Sequence, residues 1–506
     1  MTSNQNSDVQ LFQKQERIYP KKVSGRFRRL KWVAMVIALA IYYLAPFIRW
    51  DRGANAPDQA ILIDMEKGRA YWFWFEIWPQ EVYILTGILV CAAILLFFVT
   101  SLFGRVWCGY FCFQTVWTDL FIWVERQVQG DRNKRKRLRE GPWTFEKIRK
   151  LAITHFLWLL IAWFTAGSFV LYFNDAPTLV AKFLHFDVSP TVLGFIGGLT
   201  FMTYLMAGFA REQGCTFMCP YARFQSAMFD KDTLIIGYDQ NRGEPRGKHK
   251  KGDSWDGRGH CIDCTACVQV CPMGIDIRDG LQMECIACGL CIDACDDIME
   301  KLDLPKGLIR YDTESRMEHS ELLSKEKADA KTSSADQAKT CSDGACKGAC
   351  APTQDNFDLG VHLLRPRTFL YAFVLTVVIG LMLWALITRA TLDLTVLHDR
   401  NPLFVKMSNG DIRNGYRLKI QNRSHETQRY ELSLEGLDDA QVILNTAGHE
   451  GSQELMAAAD GVVEYRVFVV SDIKPQEPIE ITFVLKDTIS GVVDRYETMF
   501  VSKRSR

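Results

Sequence analysis

Hydrophobic positions in this 506-residue chain gather into five unbroken blocks: Trp32–Ile48, Val82–Gly104, Leu151–Phe173, Val188–Ala210 and Thr368–Thr388. None contains Asp, Glu, Lys or Arg. An apolar helix of about 17–25 residues crosses a bilayer while satisfying its own backbone, so the pattern predicts five membrane spans. Ala54-Asn55-Ala56 imitates a signal-peptide cleavage site, but Arg49, Asp51 and Arg52 intervene and Pro57 follows, so the first block reads as a span. From Leu392 onward the period changes to two, as in Tyr416-Arg417-Leu418-Lys419-Ile420 and Ile479-Glu480-Ile481-Thr482-Phe483. Short alternating runs between Gly, Asn, Asp and Pro turns predict an all-β, immunoglobulin-like sandwich over residues 390–506. The aromatic stretches Thr115–Val128 and Tyr221–Phe229 have helical apolar spacing that suits either interfacial or ordinary packing helices.

Charge orients these elements. Lys and Arg number eight in residues 1–31, four in 49–81, eleven in 105–150 and one, Lys182, in 174–187. The alternation predicts the N-terminus, the 105–150 loop and the 211–367 region inside, and the sandwich outside. Fifteen of the sixteen cysteines fall in the segments so placed inside, and the other, Cys91, lies alone in the second span as a packing residue. The net charge of +1 excludes a globally basic nucleic-acid binder. The run Asp131 to Arg137 beside two spans reads as a topology determinant touching anionic lipid.

The cysteines bring in chemistry. Cys261-x2-Cys264-x2-Cys267-x3-Cys271-Pro272 is followed by Cys285-x2-Cys288-x2-Cys291-x3-Cys295. Two such runs are the bacterial two-cluster ferredoxin pattern, in which the fourth ligand of each cubane comes from the other run. One 4Fe-4S cluster is therefore expected on Cys261, Cys264, Cys267 and Cys295, and the second on Cys285, Cys288, Cys291 and Cys271. Zinc ribbons use isolated C-x2-C pairs and do not explain the third and fourth cysteines. Asp296 stands where a second proline would complete the motif. Two C-x3-C pairs, Cys108/Cys112 and Cys215/Cys219, end the first two helical hairpins as a weak internal repeat. On a helix each pair shares a face, and soft thiolates without His or carboxylate neighbours suit Cu(I), zinc or iron-sulfur. Cys341, Cys346 and Cys350 lie in a Ser-, Ala-, Lys- and Asp-rich stretch that predicts a flexible, weakly metal-binding insert. Paired span histidines for haem, a Walker motif and a dinucleotide fingerprint are missing, which leaves single-electron chemistry.

The predicted architecture is thus a multi-domain membrane protein. A basic leader (1–31) precedes spans one to four with both C-x3-C motifs (32–230). A two-cluster ferredoxin-like domain (231–312), the cysteine-containing insert (313–366), the fifth span (367–389) and the sandwich (390–506) follow.

These residues resemble the FixG/CcoG/RdxA family of cytochrome c oxidase accessory proteins. The resemblance runs through the leader, the spans, Gly104–Phe121, Arg211–Asp230, Cys261–Glu300, Pro305–Asp312 and the sandwich, and is densest over Glu284–Asp296. It implies a multi-pass protein of the bacterial inner membrane, with the ferredoxin domain cytoplasmic and the sandwich periplasmic. It also implies reduction of Cu(II) to Cu(I) for assembling a C-type haem-copper oxidase; the soft C-x3-C thiolates Cys108, Cys112, Cys215 and Cys219 are the expected place for copper as substrate or transient ligand. Implied partners are oxidase assembly factors or a copper transporter or chaperone, and an unnamed cytoplasmic electron donor; a homo-oligomer stays open. Phe113 departs from the family's C-x3-C-Pro, which predicts a helix continuing through Cys112, and no family role extends to Cys341–Cys350. A quinol-oxidising relay like the NapH/NosR proteins, and a non-enzymatic assembly scaffold or copper chaperone, are the competing readings.

Overall fold

The structure, a computed structural model, describes residues 17–502 apart from 54–55, 250–254, 256, 320–321, 323–364, 390–391, 425, 438–439, 445–453, 460 and 474–476. Cys341, Cys346 and Cys350 lie outside the described residues. Contacts divide the chain into two units, one of residues 1–48, 61–71 and 76–380, the other of residues 49–60, 72–75 and 381–506.

The described residues include five helices long and apolar enough to cross a membrane: Arg26–Phe47, Val82–Phe103, Phe145–Val170, Pro190–Met218 and Pro366–Ile387. All but the second, which stays within its block, run beyond the apolar blocks at one end, because a helix continues wherever its terminal amides find caps, whatever the hydropathy. The first, α1 (Arg26–Leu44), starts six residues before Trp32 because its leading amides are capped from elsewhere: Phe27 and Arg28 N–H donate to Asp293 at 3.1 and 2.7 Å. The loop after α1 carries a three-stranded sheet of β1 (Ile61–Asp64), β2 (Arg69–Trp72) and β3 (Phe75–Ile77), absent from the sequence reading. The second span is α2 (Val82–Phe103), followed by α3 (Val106–Tyr110), α4 (Phe113–Gln129) and α5 (Arg132–Glu140). The third, α6 (Phe145–Val170), begins at a Thr144 cap. A short helix α7 (Ala176–Leu184), capped by Asp175, precedes α8 (Pro190–Leu205), capped by Ser189.

The fourth span continues past Ala210 through a π-helical turn Met206–Ala210, α9 (Arg211–Gln213) and a second π-helical turn Gly214–Met218, before α10 (Pro220–Ala227). Of the two aromatic stretches, α4 is a packing helix: Phe121 is fully buried and stacks on Trp158 of α6 at 5.2 Å. Arg135, within the basic run expected at lipid head groups, is 1% exposed and turned inward. The fifth span is α14 (Pro366–Ile387), reached after α11 (Gln240–Gly243), α12 (Ala266–Val270) and α13 (Leu290–Lys301).

Most of the second unit is the sandwich. One antiparallel sheet runs β10 (Gln441–Leu444), β12 (Gly461–Ser471), β8 (Ile412–Asn422) and β6 (Leu392–His398), with β7 (Val405–Lys406) also on β8. The other runs β11 (Glu454–Ala457), β9 (Gln428–Glu435), β13 (Ile479–Asp487) and β14 (Val493–Phe500). Alternate residues Tyr416, Leu418 and Ile420 of β8 and Ile481, Phe483 and Leu485 of β13 fill one core between the sheets, as period-two patterning requires.

Candidate functional site

The ferredoxin module is closed by β4 (Ile235–Tyr238), which pairs antiparallel with β5 (Ile309–Asp312), Ile235 opposite Asp312. This pairing brings together the ends of the segment holding both cysteine runs. Residues flanking the middle cysteine of each run are left-handed: Asp263 (φ 52°) and Thr265 (55°) around Cys264, Ala287 (51°) and Gly289 (73°) around Cys288. Three of these four carry a Cβ, a strained choice that backbone turned inward to form a concavity of N–H groups explains. Tyr311 Oη donates to Ala287 O at 2.5 Å and holds one such turn.

The eight thiols divide into two sets. A cavity is lined by Cys261, Cys264, Cys267 and Cys295 together, with Tyr238 and Arg278. Cys271 sits within electrostatic reach of Cys288 and Cys285, and Cys291 within reach of Cys288, Cys285 and Cys271 ahead of Cys267 of the first set. Burial, then Cys288, pushes Cys271 up to about 12, and burial, then Cys267, pushes Cys295 up to about 12. Buried thiols so crowded do not ionise unless positive charge is placed among them. The donor set therefore fits two cubanes, with each fourth ligand taken from the opposite run. Asp296, in the proline position, accepts from Gly307 N at 2.9 Å and so ties α13 to the turn before β5.

The two C-x3-C pairs have matching backbones. Cys112 N–H donates to Trp107 O and Cys219 N–H to Gly214 O, each at 2.9 Å and each five residues back, to the residue before the pair's first cysteine. Cys112 (φ −60°, ψ 129°) and Cys219 (φ −82°, ψ 112°) are both extended, and new helices start at Phe113 and Pro220. The expectation that Phe113 lets the first helix continue is therefore corrected: the π-type closure breaks the helix at Cys112 with or without proline. Gln114 joins the hairpins, donating to Met206 O at 2.9 Å and Arg211 O at 3.1 Å. Cys108, Cys112, Cys215 and Cys219 all lie within electrostatic reach of one another. Burial raises the Cys108 thiol despite the opposing Arg105, and burial likewise raises Cys112. Cys108 Sγ donates to Gln225 Oε1 at 2.9 Å. Among the described residues no three Cys, His, Asp or Glu side chains close on one point as a single-ion site does. Cubane corners hold thiolates farther apart than a single ion does.

The first pair rests on the second cysteine run. Cys108 packs into the apolar cluster that contains Ile286, Cys288 and Leu290. Tyr110 Oη donates to Cys288 O at 3.0 Å, and an Arg105 Nη donates to Met283 O. A Cβ at Gly109 would lie 2.6 Å from Ile286 O, so only glycine permits this approach. Beside the second pair, a cavity of about 420 Å3 is lined by Arg105, Cys215, Thr216, Met273, Met283 and Glu284. The sequence reading missed Gly109, Tyr110 and Asp293, whose partners lie more than 170 residues away, and no local pattern marks them. Cys91 lies within α2, as expected. His155 pairs with Tyr204 Oη at 2.9 Å.

Residues 210–314 match the family model of a 4Fe-4S dicluster domain, residues 84–135 that of a 4Fe-4S binding domain, and residues 382–503 that of the IG-like fold at the C-terminus of FixG. The nitrogen fixation protein FixG of Rhizobium meliloti is 45% identical over 463 residues, covering 91% of this chain and 87% of its own. Protein RdxB of Cereibacter sphaeroides is 42% identical over 505 residues, 99% of each chain, and RdxA of the same organism 44% identical over 83% of this chain and 82% of its own. A solved FixG-related protein from Vibrio parahaemolyticus is 24% identical, covering 23% of this chain and all of its own with a TM-score of 0.20.

Proposed function

The chain belongs to the FixG/RdxA family of iron-sulfur proteins, and on that premise we propose that it reduces Cu(II) to Cu(I) at Cys108, Cys112, Cys215 and Cys219 for assembly of a haem-copper oxidase. The observation that carries the reading is the seating of Cys108 in the cluster of Ile286 and Cys288, which puts this one thiol on the second cysteine run with Cys112, Cys215 and Cys219 within electrostatic reach of it. Cys261, Cys264, Cys267 and Cys295 would hold one cluster and Cys285, Cys288, Cys291 and Cys271 the other. When bound, the clusters supply transfer of single electrons.

In the balanced step, Cu(II) gains one electron and becomes Cu(I), and a one-electron donor on the ferredoxin side of the membrane loses one. Each thiol that ligates copper releases its proton, and Arg105 beside Cys108 favours the resulting thiolate. Thiolates prefer Cu(I), so the ligands pull the couple toward reduction. The cavity lined by Cys215, Met273 and Met283 offers a soft, sulfur-rich approach. Product would pass to oxidase assembly factors or a copper carrier. The Lys and Arg distribution supports a ferredoxin module inside the inner membrane and a sandwich outside it.

A quinol-oxidising relay is the second reading. It is favoured by an apolar cavity of about 590 Å3 in the span bundle, lined by Tyr42, Phe111, Phe113, Gln114, Trp117 and Thr165. Stopped-flow mixing of the reduced protein with Cu(II) or with a quinone analogue separates the two. We expect reoxidation by Cu(II) that is lost when all four cysteines become serine, at an unchanged iron content near eight per chain. Quinone reoxidation alone, or copper reduction surviving all four serines, overturns the proposal. Twelve irons would instead assign a third cubane to these thiols, of which Cys108 and Cys112 fall where residues 84–135 match a 4Fe-4S model and Cys215 and Cys219 where residues 210–314 match a dicluster model.

A further inference from the structure

Three guanidinium groups converge on one carboxylate: Arg17, Arg135 and Arg211 lie 3.1, 3.0 and 2.7 Å from Glu125. The Arg135, Arg211 and Glu125 side chains are at most 4% exposed. Glu125 neutralises one of the three charges, while Asp131 near Arg135 and Glu212 near Arg211 and Arg17 offset them only as lesser influences. Burial, and then Arg211, pushes the Arg17 guanidinium below its usual value, as expected where positive charge is in excess.

Two buried nitrogens, Arg135 Nε and Arg211 Nη1, have no hydrogen-bond partner among the described residues. Arg17, Glu125, Arg135 and Arg139 line a cavity of about 270 Å3. Its other wall is aromatic, formed by Tyr19, Trp158 and Tyr204 with His155. Buried guanidinium in surplus beside an open space is a receptor for an anion, and planar N–H forks match phosphate oxygens.

Size and place narrow the ligand. The cavity is slightly smaller than the roughly 300–1,000 Å3 of drug-sized sites, which suits a phosphate carrying a small alcohol. It lies at the polar ends of the third and fourth spans, where Leu151, Thr154, Tyr204 and Phe209 contribute to its lining. Phospholipid head groups lie at that level, and basic pockets between spans bind them.

We propose that this cavity binds a phosphate-bearing anion, supplied as an anionic lipid head group or as free phosphate. It is distinct from the cysteine sites and stands whether or not copper is the substrate. The test uses the full chain in nanodiscs of phosphatidylcholine with and without phosphatidylglycerol, read by native mass spectrometry of retained lipid. Thermal unfolding with added inorganic phosphate forms the second arm. The variants are Arg17→Gln, which removes a partly exposed charge, and Leu138→Trp, which fills the cavity and leaves every charge in place.

Selective retention of phosphatidylglycerol, falling tenfold or more in both variants while the iron-sulfur absorbance is unchanged, supports a lipid head group. A phosphate-dependent rise in unfolding temperature, without lipid selectivity and lost in both variants, supports free phosphate. Absence of both responses in the wild type, or responses equal in wild type and variants, overturns the site.

Discussion

Gly109→Ala tests whether α3 is pressed onto the second cysteine run. The added methyl would stand 2.6 Å from Ile286 O and 3.1 Å from Ala287 O. Carbon-to-carbonyl contacts settle at about 3.3–3.6 Å, so α3 and the loop must part by roughly 0.7 Å. Both obstacles are backbone atoms, and Ala287 is already left-handed, so no side-chain rotation relieves the clash. Overpacking of this kind costs about 1–3 kcal/mol. If that cost falls on local opening of the loop, amide exchange across residues 285–291 rises roughly 5- to 150-fold, at a factor of ten per about 1.4 kcal/mol. The displaced loop carries Cys288, so copper reduction should slow while the iron content stays the same. Gly198→Ala is the control, because nothing lies within 4 Å of a Cβ at that position. Hydrogen exchange by mass spectrometry reads both variants. Equal exchange in Gly109→Ala and wild type would refute the close packing and the electron route argued from it.

Phe113→Pro should be tolerated, with unfolding temperature unchanged or raised by the equivalent of about 0.4–1 kcal/mol. Cys112 is already extended, as a residue before proline must be, and position 113 is the first of its helix, where proline fits; a clear destabilisation by scanning calorimetry would contradict this. Glu125→Gln leaves buried guanidinium uncompensated and should cost about 3–5 kcal/mol. Burial opposes ionisation of Glu125, yet Arg211, Arg17 and Arg135 hold its folded-state pKa below the usual 4.5. Its stabilisation is therefore complete above that value and lost as pH falls through the lowered folded value. Acid unfolding should have a component below about pH 4.5 that is absent from the variant; identical acid transitions would show that the carboxylate carries no such role. Reporter fusions after Lys150, Lys250 and Gly410 should read inside, inside and outside, and an outside signal at Lys250 would reverse the orientation.

The sequence by itself determined whatever is encoded over a few neighbouring residues. Uncharged blocks announced the spans because a bilayer excludes charge, and period-two runs announced β8, β9, β12 and β13 because a sandwich has one dry face. The two cysteine runs announced iron-sulfur chemistry because a cubane takes three ligands from one tight loop. Neither hydropathy nor spacing foretold where helices end: α1 begins at Arg26 because Asp293, far along the chain, caps it. The break at Cys112 was misread for a related reason, since backbone closure onto Trp107 decides it and the residue at 113 does not. Only tertiary structure brought Cys108 and Cys112 near Cys215 and Cys219, set Gly109 against Ile286, and turned Arg135 from the lipid-facing run into a buried partner of Glu125. Each of these joins residues that are distant in sequence, or chooses which side of a helix faces inward. Such choices depend on the summed packing and charge of the assembled bundle, which no local window of the chain contains.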